Sequence, residues 1–228
     1  MSIAVLLLAA GSGTRFGGAI PKQYVSVQGK AILLHTLRSL EQEPRIAMVQ
    51  PVIAAGDTHF AACVAGQSFG FTLLPAVEGG TERALSMQRG LAALPDGVSM
   101  VAVHDAARPL ASQAVLRDVL DVALSYGAAV PAIAVHDTIK RIDADGKVIE
   151  TPERASLRAV QTPQVARLNW FQQALAQEHE HLHRHTDDAS VLEAAGFPVH
   201  VSQGDVNNRK ITTQDDVQWM LKVLEAGQ

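Results

Sequence analysis

The chain has one cysteine, Cys63, so it can form neither an intramolecular disulfide nor a cysteine-rich zinc site, and a reducing, cytoplasmic location is expected. It has no basic run. With 19 Lys and Arg against 23 Asp and Glu, the formal net charge is −4, which disfavours attraction to a nucleic-acid backbone. Long hydrophobic runs are missing too: the apolar stretch from Ile3 to Ala10 is too short to span a bilayer and no basic segment precedes it. It reads as a buried strand, and no membrane partner is expected. The signatures G-x-S-x-G and H-E-x-x-H are absent, as is any paired-cysteine site, so no conventional protein nucleophile presents itself. What remains is 228 residues, 47% hydrophobic and 18% charged, a balance that suits a folded chain with a substantial core.

Short apolar runs recur: IAVLLLAA at 3–10, MVQPVIAA at 48–55, FTLLPA at 71–76, SMVAVHD at 99–105 and AAVPAIAV at 128–135. Hydrophobicity without alternation marks strands buried on both faces, as in a parallel sheet. Pro51, Pro75 and Pro131 interrupt these runs and are poor central-strand residues. Helical spacing joins Ile32, Leu33, Leu37 and Leu40; Leu85, Gln88, Leu91 and Leu94; and Val115, Val119, Val122 and Ala123. Strands alternating with helices predict an α/β fold, a doubly wound and mostly parallel sheet, with residues 1–228 as one domain.

One segment breaks that rhythm. TIKRI and KVIET flank the turn residues Asp143 to Gly146 and predict a β-hairpin arm, 136–160, that buries little by itself. A second copy of the chain is its simplest partner, giving a homodimer. Beyond the arm, Leu168 to Gln177 and VLEAAG at 191–196 read as helices, PVHVSQ as a late strand, and Thr213 with Asp216 as a capping box for a last helix.

The residues LLLAAGSGTRFGG at 6–18 place a glycine-rich turn where the first strand ends, the position at which such sheets bind ligands. Gly11 and Gly13 let backbone N–H groups converge on an anion. A dinucleotide fingerprint fails at Phe16, and a P-loop fails at Ala19 and Ile20. The pattern A-A-G-x-G-x-R followed by P-K is met by Ala9, Ala10, Gly11, Gly13, Arg15, Pro21 and Lys22, the mark of nucleotidyltransferases. Joining a phosphate to a nucleoside triphosphate is an in-line displacement whose main demand is neutralising charge, which Arg15 and Lys22 would meet. Solvated surface charges are the alternative.

VAVHDAARP at 101–109 ends a buried strand at Asp105, a carboxylate that could hold Mg²⁺ against a triphosphate directly or through water, with Arg108 reaching a phosphate or a ribose-side oxygen. A helix-capping Asp105 with a surface Arg108 is the plainer reading. The histidines His179, His181, His183 and His185 read as a polar helix end, since at most i, i+4 pairs among them could share a metal.

Together, AAGSGTRF, PKQY, GGTERALSM, VHDAARP, DTIKR, TPQ, HTDDAS and NRKIT in this order resemble the 2-C-methyl-D-erythritol 4-phosphate cytidylyltransferases over nearly the whole length. The resemblance implies a nucleotidyltransferase (glycosyltransferase-A-like) fold and the joining of CTP and methylerythritol phosphate, with pyrophosphate released, in non-mevalonate isoprenoid synthesis. It further implies that Arg15 and Lys22 stabilise the α-phosphate, that Ala9, Ala10, Gly11, Ser12 and Gly13 cradle CTP, and that Gly80, Thr81 and Ser86 face the base. Asp105 would stand by Mg²⁺ and the ribose with Arg108 nearby. Thr138, Arg154, Thr162, Thr186 and Lys210 would form the acceptor pocket, with Arg154 and Lys210 aiming the attacking phosphate and the arm of one subunit completing the pocket of the other. Leu8, Thr81 and Arg209 depart from the usual family residues, and Arg209 could redirect charge around Lys210. A ribitol 5-phosphate cytidylyltransferase and a non-catalytic nucleotide-binding regulator are the rival readings.

Overall fold

A computed structural model describes residues 2–11, 16 and 20–226. The chain begins with β1 (Ser2–Ala9), the small hairpin of β2 (Ser26–Val27) and β3 (Lys30–Ala31), and α1 (Ile32–Leu40). There follow β4 (Ile46–Ile53), α2 (Phe60–Val64), β5 (Thr72–Leu73), β6 (Val77–Glu78) and α3 (Arg83–Ala92). Next come β7 (Val98–Asp105), α4 (Gln113–Tyr126), β8 (Ala128–Ala134), the arm strands β9 (Arg141–Ile142) and β10 (Val148–Glu150), then β11 (Arg158–Val160) and β12 (Gln164–Arg167). The chain closes with α5 (Leu168–Gln177), α6 (Asp188–Ala194), β13 (His200–Gln203) and α7 (Gln214–Ala226).

The central sheet has nine strands. β4, β1 and β7 lie side by side and parallel, β12 runs antiparallel between β7 and β8, and β13 runs parallel along the outer edge of β8. The expected mostly parallel, doubly wound sheet is what forms, because β1 is apolar on both faces. Ile3, Val5, Leu7 and Ala9 join a core with α1 and α4, whereas Ala4 and Leu6 join one with α3, α5 and α6. Leu6 and Leu7 are fully buried, each worth about 1.5–3 kcal/mol relative to exposure.

Pro75 falls between β5 and β6, but Pro51 and Pro131 lie inside strands, each with its nitrogen facing a gap in the partner strand. Val49 and Ile53 give their carbonyls to Leu74 N and Gly79 N, so Pro51, between them, turns its nitrogen to that same outer edge, in the interval separating β5 from β6. Pro131 likewise lies opposite the interval between β11, which pairs as far as Ala132, and β12, which begins at Ala129. In both places the partner strand is already broken where a proline has no N–H to give.

One expected face is rotated. The buried residues of α3 are Ala84, Ser86, Met87, Gly90 and Leu91, whereas Leu85 is half-buried and Gln88 is exposed. Gly90 decides this: a Cβ there would come 2.7 Å from Val52, so the glycine stripe is the one that meets the sheet. Thr213 and Asp216 do form the reciprocal cap of α7, with Thr213 N donating to Asp216 Oδ2 at 2.9 Å and Asp216 N donating to Thr213 Oγ1 at 3.3 Å. The arm is a separate two-stranded hairpin, and Ile139, Ile142, Val148, Ile149 and Val160 on and beside it are exposed.

Candidate active site

The carboxyl ends of β1 and β7 lie together, Leu8 opposite Asp105 in the register, so the turn after β1 and the loop after β7 open onto one cleft. Leu8, Ala9, Ala10 and Gly11 form one wall and Gly80, Thr81, Glu82, Arg83 and Ser86 a second; Asp105, Lys22 and Lys210 complete it. Gly79 permits the second wall to approach the first, because a Cβ there would come 2.6 Å from the Ala10 Cβ. Ser86 Oγ accepts the Gly80 N–H at 3.1 Å and donates to Glu82 O at 3.0 Å, fixing the loop that carries Thr81.

The sequence therefore assembles Ala9, Ala10, Gly11, Lys22, Gly80, Thr81, Ser86, Asp105 and Lys210 at one place. Ser12, Gly13 and Arg15 lie outside the described residues. Thr138 and Arg154 lie in the arm, both exposed, with Arg154 Nη1 donating to His136 O at 2.6 Å and so tying the two stems of the arm together. Thr186 is exposed just before α6. Thr162 is buried, its hydroxyl oxygen accepting the Asp105 N–H at 3.1 Å and lying 2.9 Å from His104 Nδ1.

Asp105 is neither a helix cap nor a solvated acid. Its side chain is 7% exposed, and cations reaching it among the described residues include Arg83 Nη1 at 2.6 Å from Oδ1, and Lys210 Nζ at 3.0 Å and Arg108 Nε at 3.3 Å from Oδ2. Burial alone would raise its pKa; Arg83, then Lys210 and Arg108 more than offset that and hold the carboxyl well below the usual carboxylate range. Arg108 is not a surface charge either, for its Nη1 donates to Asn208 O at 2.7 Å. That bond, Ile211 N to Ala107 O at 2.8 Å and Asn208 Nδ2 to Thr162 O at 2.8 Å hold the loop that presents Lys210.

Arg209 points away from the site. Its Nη2 lies 2.9 Å from Asp216 Oδ1 and its guanidinium lies over Trp219, so its charge is spent on α7. The sequence reading missed Arg83 and Asp188. Arg83 opens α3, whose first turn contains no acid, and it reaches from Asp105 to Asp188 Oδ2 at 2.6 Å. A cation at a helix N-terminus opposes the dipole, and that misfit within GGTERALSM was the available signal.

Two lysines and an aspartate at one sheet edge, beside the glycine-rich segment after β1, suit transfer of a nucleotidyl group. The model of the family 2-C-methyl-D-erythritol 4-phosphate cytidylyltransferase (IspD) matches residues 3–225. This chain belongs to that family. A 2-C-methyl-D-erythritol 4-phosphate cytidylyltransferase of Symbiobacterium thermophilum is 40% identical over 223 residues, covering 98% of this chain and 93% of that protein. One from Alkaliphilus metalliredigens is 38% identical over 216 residues, covering 94% and 90%. Among solved structures, the 4-diphosphocytidyl-2C-methyl-D-erythritol synthase of Anaerococcus prevotii superposes with a TM-score of 0.85 at 28% identity, covering 98% of both chains. Of the three departures read from the sequence, the structure places Leu8 and Thr81 on the cleft wall and Arg209 off it.

Proposed function

We infer that the chain joins CTP to 2-C-methyl-D-erythritol 4-phosphate. Its family membership and the convergence of Lys22, Lys210 and Asp105 on the turn after β1 carry this reading. The acceptor phosphate, already ionised at neutral pH, attacks the α-phosphorus of CTP; a new P–O bond forms, the bond from that phosphorus to the α,β-bridging oxygen breaks, and pyrophosphate leaves. No protein nucleophile is required. Lys22 and Arg15 offset the charge that accumulates at the α-phosphate, and the backbone of residues 9–13 cradles the triphosphate. Gly80, Thr81 and Ser86 would face the cytosine, and Lys210, with Arg154 and Thr138 from a partner's arm, would aim the acceptor phosphate, with Thr162 and Thr186 lining that pocket.

Among the described residues no cluster of three or more His, Cys, Asp or Glu could cage a metal ion. One buried-edge carboxylate facing a triphosphate pocket nevertheless fits Mg²⁺, which is commonly held by one or two carboxylates plus substrate phosphates. Asp105 would hold it, and Lys210, 38% exposed and more accessible than Arg83 or Arg108, is the contact that would yield. Bound there, the ion would neutralise triphosphate charge.

Of the expected 136–160 arm, residues 158–160 join the central sheet as β11; the exposed apolar side chains on the remaining hairpin, Ile139, Ile142, Val148 and Ile149, support a homodimer, since a two-stranded hairpin with no sheet of its own to cover gains stability by packing on another surface. No described helix is long and apolar enough to cross a membrane, which is compatible with the cytoplasmic location proposed from the single cysteine. The reading is tested by pyrophosphate release from CTP with Mg²⁺, methylerythritol phosphate and ribitol 5-phosphate being offered separately. Turnover of methylerythritol phosphate is expected; turnover of ribitol phosphate alone, or of neither, refutes it.

A further inference from the structure

Asp105 divides its two oxygens between the sides of the site. Oδ2 faces Lys210 and Arg108, the cations of the loops around 108 and 210, whereas Oδ1 is held by Arg83, which lies on the wall of Gly80 and Thr81. Arg83 is itself clamped. Its Nε lies 3.1 and 3.2 Å from the two oxygens of Asp188 and its Nη2 2.6 Å from Oδ2, a forked contact made by a carboxylate whose side chain is 1% exposed. Asp188 cannot drift, because the start of α6 is pinned: Ala189 N donates to Gln164 Oε1 at 2.7 Å, Gln164 Nε2 donates to Asp187 Oδ2 at 2.8 Å, and Asp187 and Ser190 form a capping box. Burial raises the Asp188 carboxyl and Arg83 opposes that rise; burial lowers the Arg83 guanidinium, and Asp188 with Asp105 more than offsets it, keeping it protonated.

We propose that Arg83, anchored by Asp188, is a positioning residue for this cytidylyltransferase. It sets the rotation of the Asp105 carboxylate, and hence the direction in which Oδ2 faces the cleft, and it links the loop of Gly80 and Thr81 to the loop of Thr186, two residues before Asp188. A lysine cannot substitute, since an ammonium is a point charge whereas the planar fork of arginine spans two carboxylates in fixed directions. Removing the charge of Asp188 releases the guanidinium to take both oxygens of Asp105, at the expense of Lys210.

The inference rests on the cytidylyltransferase reading, and wild-type turnover in the same assay separates the two. The variants are Arg83→Lys, Arg83→Gln, Asp188→Asn and the double variant R83Q/D188N, each checked for folding by circular dichroism and for CTP affinity by calorimetry. With an active wild type, kcat is expected to fall by about 10- to 100-fold in Arg83→Lys as in Arg83→Gln, with the CTP affinity within about threefold, as for a misplacement of reacting groups. The double variant is expected to be no worse than the poorer single one, as for residues that act as a unit. If Arg83→Lys retains wild-type kcat, or if Asp188→Asn lowers only the melting temperature, or if the single effects multiply in the double variant, the contact is structural and the proposal is overturned. Should Asp188→Asn fail to fold, Arg83→Lys against Arg83→Gln decides the matter alone. An inactive wild type would overturn the cytidylyltransferase reading, and this proposal with it.

Discussion

His104 predicts a measurable loss of stability on mild acidification. It precedes Asp105 on β7 and is fully buried, with Nδ1 2.9 Å from the Thr162 hydroxyl and Nε2 3.3 Å from the Arg108 carbonyl. Thr162 Oγ1 already accepts the Asp105 N–H, so its own hydrogen is free to go to Nδ1, and the neutral ring with hydrogen on Nε2 satisfies every partner. Burial first, then the charges of Arg108 and Arg83 against the opposing Asp105, lower its pKa from 6.5 to about 4. As pH falls below about 6.5 the unfolded chain takes up a proton that the folded chain refuses until about 4, so stability is full above that window and is lost through it. Integrated from about pH 7 to about pH 4.5, the loss is about 2–3 kcal/mol, or roughly 5–10 °C in melting temperature for a chain of this size. His104→Asn keeps polarity without a proton to gain. In buffer containing a chelator, the gap in melting temperature between wild type and this variant is therefore expected to shrink by that amount on acidification. An equal gap at both pH values refutes the argument.

Lys22→Ala and Arg15→Ala are each expected to lower kcat by about 100-fold or more with folding retained, the usual consequence of removing charge stabilisation from a transition state; wild-type turnover in either removes the mechanism proposed above. Arg154→Ala should raise KM for methylerythritol phosphate more than for CTP. If the arm acts in trans, mixing Arg154→Ala subunits with Lys22→Ala subunits restores activity, because one site of each mixed dimer then has both residues intact; no recovery places Arg154 in its own chain's site. Gly127, which ends α4 at φ 102°, leaves no room for a Cβ, which would meet Trp170 at 2.3 Å. Gly127→Ala is expected to cost about 2–3 kcal/mol, read as a lower melting temperature with kcat per folded molecule unchanged.

How much of this was legible beforehand follows from what each feature depends on. The strand β1 declares itself through an unbroken apolar run from Ile3 to Ala9, and the helix α5 appears at the residues from which its pattern was read, because both depend on local sequence alone. The face of α3 was misjudged because leucine is conspicuous and glycine is not: Leu85 and Leu91 suggest a stripe, yet it is Gly90 against Val52 that sets the rotation. Pro51 and Pro131 looked like strand breakers, and whether a proline interrupts a sheet depends on what lies opposite its nitrogen, which no local pattern records.

The same distinction explains the site. Asp105 and Lys22 stand in motifs that a phosphate-binding chemistry requires, so each can be named from its own surroundings, whereas Lys210 came only from the family resemblance. Arg83 and Asp188 lie 105 positions apart and gain their meaning only from each other. A buried carboxylate needs a cation and a buried guanidinium needs an anion, since an uncompensated buried charge costs several kcal/mol. Here the guanidinium has two carboxylates, one at the reacting centre and one held by a helix cap, so compensation that the fold requires also fixes the direction of Asp105. Stability and placement are thus supplied by one contact, and only a variant that preserves the charge while changing its shape, as Arg83→Lys does, can tell them apart.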